Sequence, residues 1–156
     1  MSKTAFQALV AQVTSSISGL PVESSLRAVL DAKFPPDGKV FKEIEAACHK
    51  AVAEGWMCER EHGGIRYGRV IEASDALDGF SVDVVHMTDV VGPHHRHPAG
   101  EIDMIMPISP DARFDNAPRG WLVYGPDSAH RPTVSGGAAL VLYLLPGGQI
   151  DFTRAK

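Results

Sequence analysis

The sequence has no long hydrophobic run and no cluster of basic residues, and it contains only two cysteines. No apolar stretch reaches the roughly 20 residues of a membrane-spanning helix, and the net charge is -4. We therefore predict neither a membrane nor a nucleic acid as partner. Cys48 and Cys58 lack a Cys-x-x-Cys spacing, and the N-terminus lacks a secretory signal. These features are typical of a protein from the reducing cytoplasm.

The first third of the sequence has the periodicity of helices. Apolar residues recur at intervals of three and four from residue 6 to residue 17, and Pro21 begins a second predicted helix. A third helix is predicted over residues 41–52, with Gly55 as its C-terminal stop. No chemistry is evident in this region. We expect residues 1–55 to form a helical segment that packs on the rest of the chain.

From Trp56 onward the apolar period changes toward two, which is typical of strands. His62-Gly63-Gly64 between two such runs predicts a hairpin. The predicted strands cover residues 56–61, 65–71, 80–87, 102–108, 120–124, 131–134 and 138–145. Short strands separated by glycine and proline turns indicate an antiparallel sandwich or a small barrel over residues 56–156.

One histidine-rich stretch, residues 91–103, carries most of the candidate chemistry. Residues two apart on a strand share a face, so His95 and His97 are predicted to point together and Arg96 away from them. A short turn then allows Glu101 to approach the two imidazoles. His94 has the opposite strand parity, so we expect it at the rim of the site.

His130 follows a later strand and turn, and we predict that it completes a ligand set with His95, His97 and Glu101. Imidazole and carboxylate ligands suit zinc, iron, nickel or manganese. The alternative is a histidine-rich surface turn without a metal, because such turns also occur on surfaces.

The same residues resemble the two motifs of the cupins. His95-Arg96-His97-Pro98-Ala99-Gly100-Glu101 is similar to the first motif, His-x-His-x-x-x-Glu, and residues 125–130, ending in His130, are similar to the second. The resemblance implies a mainly β fold, a cupin-type double-stranded β-helix (jelly-roll) barrel preceded by the N-terminal helical segment. It also implies that His95, His97, Glu101 and His130 hold a divalent metal ion.

A closer resemblance covers nearly the whole chain, and it is to the bacterial 4-hydroxylaminobenzoate lyase family. It is carried by blocks at residues 55–56, 63–70, 79–85, 92–98, 100–103, 128–134 and 142–146. The resemblance implies conversion of 4-hydroxylaminobenzoate to 3,4-dihydroxybenzoate and ammonia, a step in nitrobenzoate breakdown. That reaction needs no net redox change, and the sequence has no Gly-x-Gly-x-x-Gly fingerprint for a flavin or nicotinamide.

A small aromatic carboxylate as substrate requires a cation, and arginine suits it because its planar fork can pair both oxygens. Of the arginines at 66, 69, 96 and 131, we favour Arg69 and Arg131. Tyr124 is a further substrate-binding candidate. Asp103 shares a face with Glu101 and is the candidate proton carrier, with orientation of a ligand histidine as its alternative role.

Three other functions remain open from the sequence alone. Iron at the same ligands could make the protein a cupin dioxygenase acting on a small aromatic compound. The barrel could also bind a small molecule without catalysis, or the metal could be structural. We also expect a homodimer, since two-fold dimers are the commonest soluble oligomers.

Overall fold

The computed structural model describes residues 1–153 of the chain, in which three helices precede ten strands. The elements are α1 Lys3–Ile17, α2 Leu26–Lys33, α3 Lys39–Glu54, β1 Arg60–His62, β2 Ile65–Ile71, β3 Phe80–Val91, β4 His95–His97, β5 Glu101–Pro107, β6 Arg113–Phe114, β7 Gly120–Tyr124, β8 Ser128–His130, β9 Thr133–Pro146 and β10 Asp151–Phe152. The prediction of a mainly β fold with an N-terminal helical segment is confirmed. Within residues 1–153, no helix has the length and apolarity needed to cross a bilayer.

The helices form where the apolar periodicity predicts them, except at the start of α2. Ser2 caps α1 by accepting a hydrogen bond from the Ala5 N–H at 3.1 Å, and Gly55, at φ 89°, ends α3. The second helix was predicted from Pro21, but it begins at Leu26. The preceding residues are irregular because Val22 packs against the hydrophobic core and the turn at Gly100.

The strands form two antiparallel sheets. The larger sheet has the order β1-β2-β3-β9-β5-β7, with β6 paired to β9, and the smaller sheet has the order β10-β4-β8. One face of the larger sheet packs on the helices through residues such as Val84, Met104 and Leu142. The opposite face turns toward the smaller sheet, and together they form the predicted double-sheet barrel. The candidate site lies between the two sheets.

The helical layer and the barrel share one hydrophobic cluster. The rings of Phe41 on α3 and Trp121 on β7 meet edge to face, with centroids 5.7 Å apart. The Trp121 Nε1–H donates to the Phe34 carbonyl at 2.8 Å. The helices therefore form part of the core that supports the outer face of the larger sheet.

Two strands are longer than the sequence predicts. Residues 133–134 and 138–145 of the two predicted strands lie in a single strand, β9, which begins at Thr133, and β3 continues to Val91. Their pairing is irregular between Thr88 and Val90, where the Gly137 N–H donates to Asp89 Oδ1 at 3.1 Å. Gly136 and Gly137 have positive φ values, so the chain bends at them without leaving the sheet.

Candidate metal centre

Strand β4 places His95 and His97 on the interior face of the barrel. Their side chains are buried, whereas Arg96 points away and pairs with Asp127 at 2.5 Å and Asp151 at 3.6 Å. The alternation predicted for these three residues is therefore present in the structure. Glu101, the first residue of β5, is also fully buried.

His95, His97, Glu101 and His130 converge at one point. Their ligand atoms all lie within 4.8 Å of one another. Glu101 Oε1 lies 3.3 Å from His95 Nε2 and 3.3 Å from His97 Nε2. His130 Nε2 lies 3.6 Å from Glu101 Oε2 and 3.1 Å from His95 Nε2. The structure thus brings together the four side chains that the sequence predicted as ligands.

The turn between β4 and β5 requires glycine. Gly100 has φ +95°, and a Cβ there would lie 2.8 Å from Val22 Cγ1 and 2.9 Å from the Tyr124 carbonyl oxygen. Beside it, the Asp127 N–H donates to the His97 carbonyl at 2.8 Å. This tight turn returns the chain so that Glu101 faces the histidines of β4.

Hydrogen bonds determine which nitrogen of His97 faces the cluster. The Ser128 hydroxyl donates to the Gly125 carbonyl at 2.6 Å, so its oxygen accepts from His97 Nδ1–H at 2.8 Å. The Nε2 lone pair of His97 is then directed at Glu101. A metal ion needs this orientation, because only an unprotonated ring nitrogen can be a ligand.

Asp115 orients His130 in the same way, through its Nδ1. Its Oδ2 lies 2.5 Å from His130 Nδ1 and accepts the Tyr124 hydroxyl at 2.5 Å, while its Oδ1 accepts the Thr133 N–H at 2.9 Å. Burial alone would raise the pKa of Asp115, but the hydrogen bonds from His130 and Tyr124 lower it. Burial lowers the pKa of His130, and hydrogen bonds to Asp115 and Glu101 outweigh that effect and raise it to about 9.

The unpaired polar atoms of this cluster fit a divalent cation. Among residues 1–153, His97 Nε2 and both carboxylate oxygens of Glu101 are buried without a well-formed hydrogen bond. Leaving such groups unpaired is costly. Ligands at about 2.1 Å from one ion lie roughly 3.0–3.4 Å from their neighbours, close to the separations observed here. The residues present therefore fit the implied metal.

Asp103 lies next to Glu101 on the same face of β5 and is completely buried. Burial and the nearby charge of Glu101 raise the pKa of Asp103 well above its usual value, which favours its protonated form. Burial raises the pKa of Glu101, but the adjacent imidazoles of His130, His95 and His97 bring it well below its usual value. The surroundings therefore favour the proton on Asp103 rather than on Glu101.

A cavity of about 810 Å³ lies beside the cluster and includes His95 in its wall. Tyr67, Tyr143 and Phe152 provide aromatic surface in the same wall. Phe152 is 61% exposed, and its ring centroid lies 5.7 Å from that of His95. The volume is within the range of small-molecule sites. Because His95 belongs to both features, a molecule in the cavity would reach the candidate metal centre.

The three predicted substrate-binding residues lie in different places. Arg69 lines the cavity, whereas Arg131 is exposed and Tyr124 donates to Asp115; neither is part of the described cavity wall. His94 bonds through Nδ1 to the Thr153 hydroxyl, and its carbonyl accepts the Thr153 N–H at 3.2 Å. It thereby holds β10 against β4, at the rim position that the sequence indicated.

The comparison with protein families adds a second, independent finding. The sequence profile of the 4-hydroxylaminobenzoate lyase family (PnbB) matches residues 8–152. The chain belongs to this family. A 4-hydroxylaminobenzoate lyase of Nocardioides sp. (strain LMS-CY) is 33% identical, with 79% of this chain and 78% of the relative covered. A second lyase of that name, from Pseudomonas putida, is 29% identical over 79% of this chain and 80% of its own.

Solved structures with similarity to this lyase family member include a cupin protein and a DMSP lyase. An RmlC-like cupin protein of Ralstonia eutropha has a TM-score of 0.41 at 11% identity, covering 55% of this chain and 57% of its own. The DMSP lyase DddQ of Ruegeria pomeroyi has a TM-score of 0.42 at 18% identity, covering 99% of this chain and 100% of its own.

Several residues around the lyase family site were not singled out from the sequence. Asp115 lies in a turn far along the chain from the His95 motif, and no local pattern marks it. Tyr143 has a sequence signal, because it is a polar residue within an apolar strand. In the structure it lies on β9 opposite Asp103 of β5. Ser128 and Phe152 become visible only through their contacts with His97 and His95.

Proposed function

We propose that this chain converts 4-hydroxylaminobenzoate into 3,4-dihydroxybenzoate and ammonia with the help of a divalent metal ion. The proposal is supported by membership of the lyase family and by two relatives of that name. The observation that carries it is the cluster of three histidines and one glutamate, of which His95 also lines a cavity. Substrate and one water contain all the atoms of the two products, so no external oxidant or reductant is required.

His95, His97, Glu101 and His130 would hold the ion, which could be zinc, iron, nickel or manganese. Bound there, it would supply positive charge that polarises the oxygen atoms of the substrate and of water. The chain contributes the orientation of the ligands through Ser128 and Asp115. The exclusion of water from the buried ligands strengthens every electrostatic interaction in the centre.

Protons would be supplied by groups that keep them at neutral pH. Departure of hydroxide from nitrogen requires a proton donor. The raised pKa of Asp103 beside Glu101 favours its protonated form, and Asp103 is the proposed proton carrier. Tyr143, on the neighbouring strand directly opposite Asp103, lines the cavity. Burial and the charge of Glu101 raise the pKa of Tyr143, so its hydroxyl remains a hydrogen-bond donor.

The cavity wall suits an aromatic ring. Tyr67 and Phe152 present partly exposed rings, and Val85 adds apolar surface. Contacts of the substrate with Arg69, Arg131 and Tyr124 remain predictions from the sequence. Of these, Arg69 lies in the cavity wall.

Turnover of 4-hydroxylaminobenzoate with and without dioxygen tests the proposal. The lyase is expected to keep its rate under anaerobic conditions and to release one ammonia for each 3,4-dihydroxybenzoate formed. A dioxygenase would stop without dioxygen, and a binding protein would show no turnover with any of the four metals. Demetallated protein is the control, since undiminished activity in it would reject metal assistance.

A further inference from the structure

We propose that Arg60 binds the carboxylate of the substrate at the end of the cavity away from the metal centre. The inference rests on the proposed function, and it assigns a residue that the sequence patterns did not single out. It follows from the positions and the existing partners of the two arginines in the cavity wall, Arg60 and Arg69.

Arg69 is already engaged by acidic partners. Its Nε and Nη2 bond to the two oxygens of Asp83 at 3.1 and 3.2 Å, and its Nη1 bonds to Glu72 at 3.3 Å. Nη2 also donates to the Gly148 carbonyl at 3.0 Å. A substrate carboxylate at this guanidinium would meet two negative charges and would have to displace an existing pair. Arg69 therefore serves to hold β2, β3 and the chain near Gly148 together.

Arg60, in contrast to Arg69, has a guanidinium without acidic partners in the part of the chain that the structure describes. It lies on the edge strand β1 with its side chain exposed, and no residue among 1–153 forms a hydrogen bond or ion pair with its guanidinium. Its guanidinium can thus take both oxygens of a carboxylate in the bidentate geometry that arginine favours. Unlike Arg69, Arg60 lies in the cavity wall without an acidic side chain of the described residues paired to its guanidinium.

The sheet register places Arg60 at a suitable distance. Arg60 pairs with Tyr67, Tyr67 with Val85, and Val85 with Val141, so the four side chains lie in one row on the interior face. Three strand spacings of about 4.8 Å put the Cα atoms of Arg60 and Val141 roughly 14 Å apart along the sheet. That span suits an extended arginine followed by a para-substituted benzene ring.

This row defines an orientation for the substrate. With the carboxylate at Arg60, the ring lies over Tyr67 and Val85, and the para nitrogen points toward Tyr143 and His95. Tyr143 is two residues beyond Val141 and shares its face of the sheet. Meta and ortho isomers would not reach both ends. Arg60 would therefore select acids whose nitrogen is opposite the carboxylate.

The test compares Arg60→Ala, Arg60→Lys and the control Arg27→Ala in metal-loaded protein. Arg27 forms an exposed ion pair with Asp31 on α2 and lies outside the cavity wall. For 4-hydroxylaminobenzoate, Arg60→Ala should lower kcat/KM about 10- to 100-fold, mainly through KM, and Arg60→Lys should recover part of the loss. For hydroxylaminobenzene, which has no carboxylate, the same variants should stay within about twofold of the wild type.

Binding of 4-aminobenzoate and of aniline, measured by calorimetry, separates this inference from the proposed function. If wild-type protein binds 4-aminobenzoate but never turns over 4-hydroxylaminobenzoate, the proposed function is wrong and the proposed role of Arg60 in carboxylate binding still stands. Arg60→Ala that binds 4-aminobenzoate as tightly as the wild type would overturn the role of Arg60. Equal loss of affinity for aniline would also overturn it, because the defect would then not concern the carboxylate.

Discussion

The imidazole of His97 depends on a pair of hydrogen bonds for its place in the centre. Ser128 is held by the Gly125 carbonyl and can therefore only accept from His97 Nδ1–H. Asp115 imposes the equivalent choice on His130. Groups of this kind around metal ligands commonly affect metal affinity by about 10- to 100-fold. The ligand set is therefore supported by Ser128, within the second cupin motif, and by Asp115, which lies outside both motifs.

Replacement of His97 by alanine should abolish metal retention while leaving a folded barrel. The variant loses one of four ligands, so its affinity should fall by at least about 100-fold. Metal content after dialysis, together with circular dichroism, measures both effects. The matched control is His94→Ala, which removes a histidine that bonds to Thr153 and does not belong to the cluster. Full metal occupancy in His97→Ala would show that His97 is not a ligand and that the proposed ligand set is wrong.

The raised pKa of His130 predicts that metal binding depends on pH. Because that pKa is about 9, the free protein holds a proton on His130 at pH 7, and an incoming ion must displace it. The apparent affinity should rise by up to about tenfold per pH unit between pH 7 and pH 9 and then level off. Competition with a chelator at several pH values measures this dependence.

Asp115→Asn provides the control for that pH dependence. Without the carboxylate the pKa of His130 should fall, so the affinity should level off at a lower pH than in the wild type. Proton release measured in weakly buffered solution should decrease in parallel. An affinity that is flat from pH 7 to pH 9 in the wild type would contradict the assigned protonation of His130.

At the scale of single residues, strand parity was enough to predict which side chains of β4 point inward. His95, His97 and Glu101 occupy a short stretch in which the period of two and one turn determine their directions. The role of Asp115 could not be predicted from the sequence, because its contact with His130 depends on how the β6–β7 turn folds back over β8. Arg60 was missed because an exposed arginine on a short strand has no distinguishing pattern.

At the scale of elements, the sequence predicted the kinds of helices and strands better than their ends. Glycines at 136 and 137 suggested a break, yet β9 runs through them because β3 bends alongside. The start of α2 shifted because Val22 is needed against the β4–β5 turn. In both cases packing between distant segments outweighed a local signal. Such packing cannot be predicted from a single segment of sequence.

One ion pair links the helical layer to the barrel. Arg119 donates from Nε and Nη2 to the two oxygens of Glu45 on α3, at 2.9 and 2.7 Å, and its guanidinium lies 5.1 Å from the Phe41 ring centroid. Arg119→Ala should lower the free energy of unfolding by about 1–2 kcal/mol, because it leaves the half-buried Glu45 unpaired. Urea denaturation measures the change.

Arg27→Ala is the control for that measurement, since its pair with Asp31 is exposed at 3.8 Å on one helix. It should change the free energy of unfolding by no more than about 0.5 kcal/mol. Equal effects of the two substitutions would mean that the contact between α3 and β7 contributes no more than a surface pair.

At the scale of the whole molecule, the four candidate metal ligands are separate from the apolar core. The two hydrophobic clusters occupy opposite faces of the larger sheet and include none of the four ligands. Removal of the metal should therefore leave the far-ultraviolet circular dichroism unchanged. At a metal concentration about 100 times Kd, binding adds about 2.7 kcal/mol, so removal should lower Tm by roughly 5–10 °C. Unfolding on chelation would contradict this separation.

The alternation along β5 has a consequence for how the gene can vary. Glu101 and Asp103 face the barrel interior, while Ile102 and Met104 face the helices. An inserted or deleted codon within this strand would exchange the two sets, burying acids under α3 and placing aliphatic groups at the metal. Loop 108–112 imposes no such parity. Length variation among natural homologues and in insertion libraries should therefore concentrate there and be absent from β5.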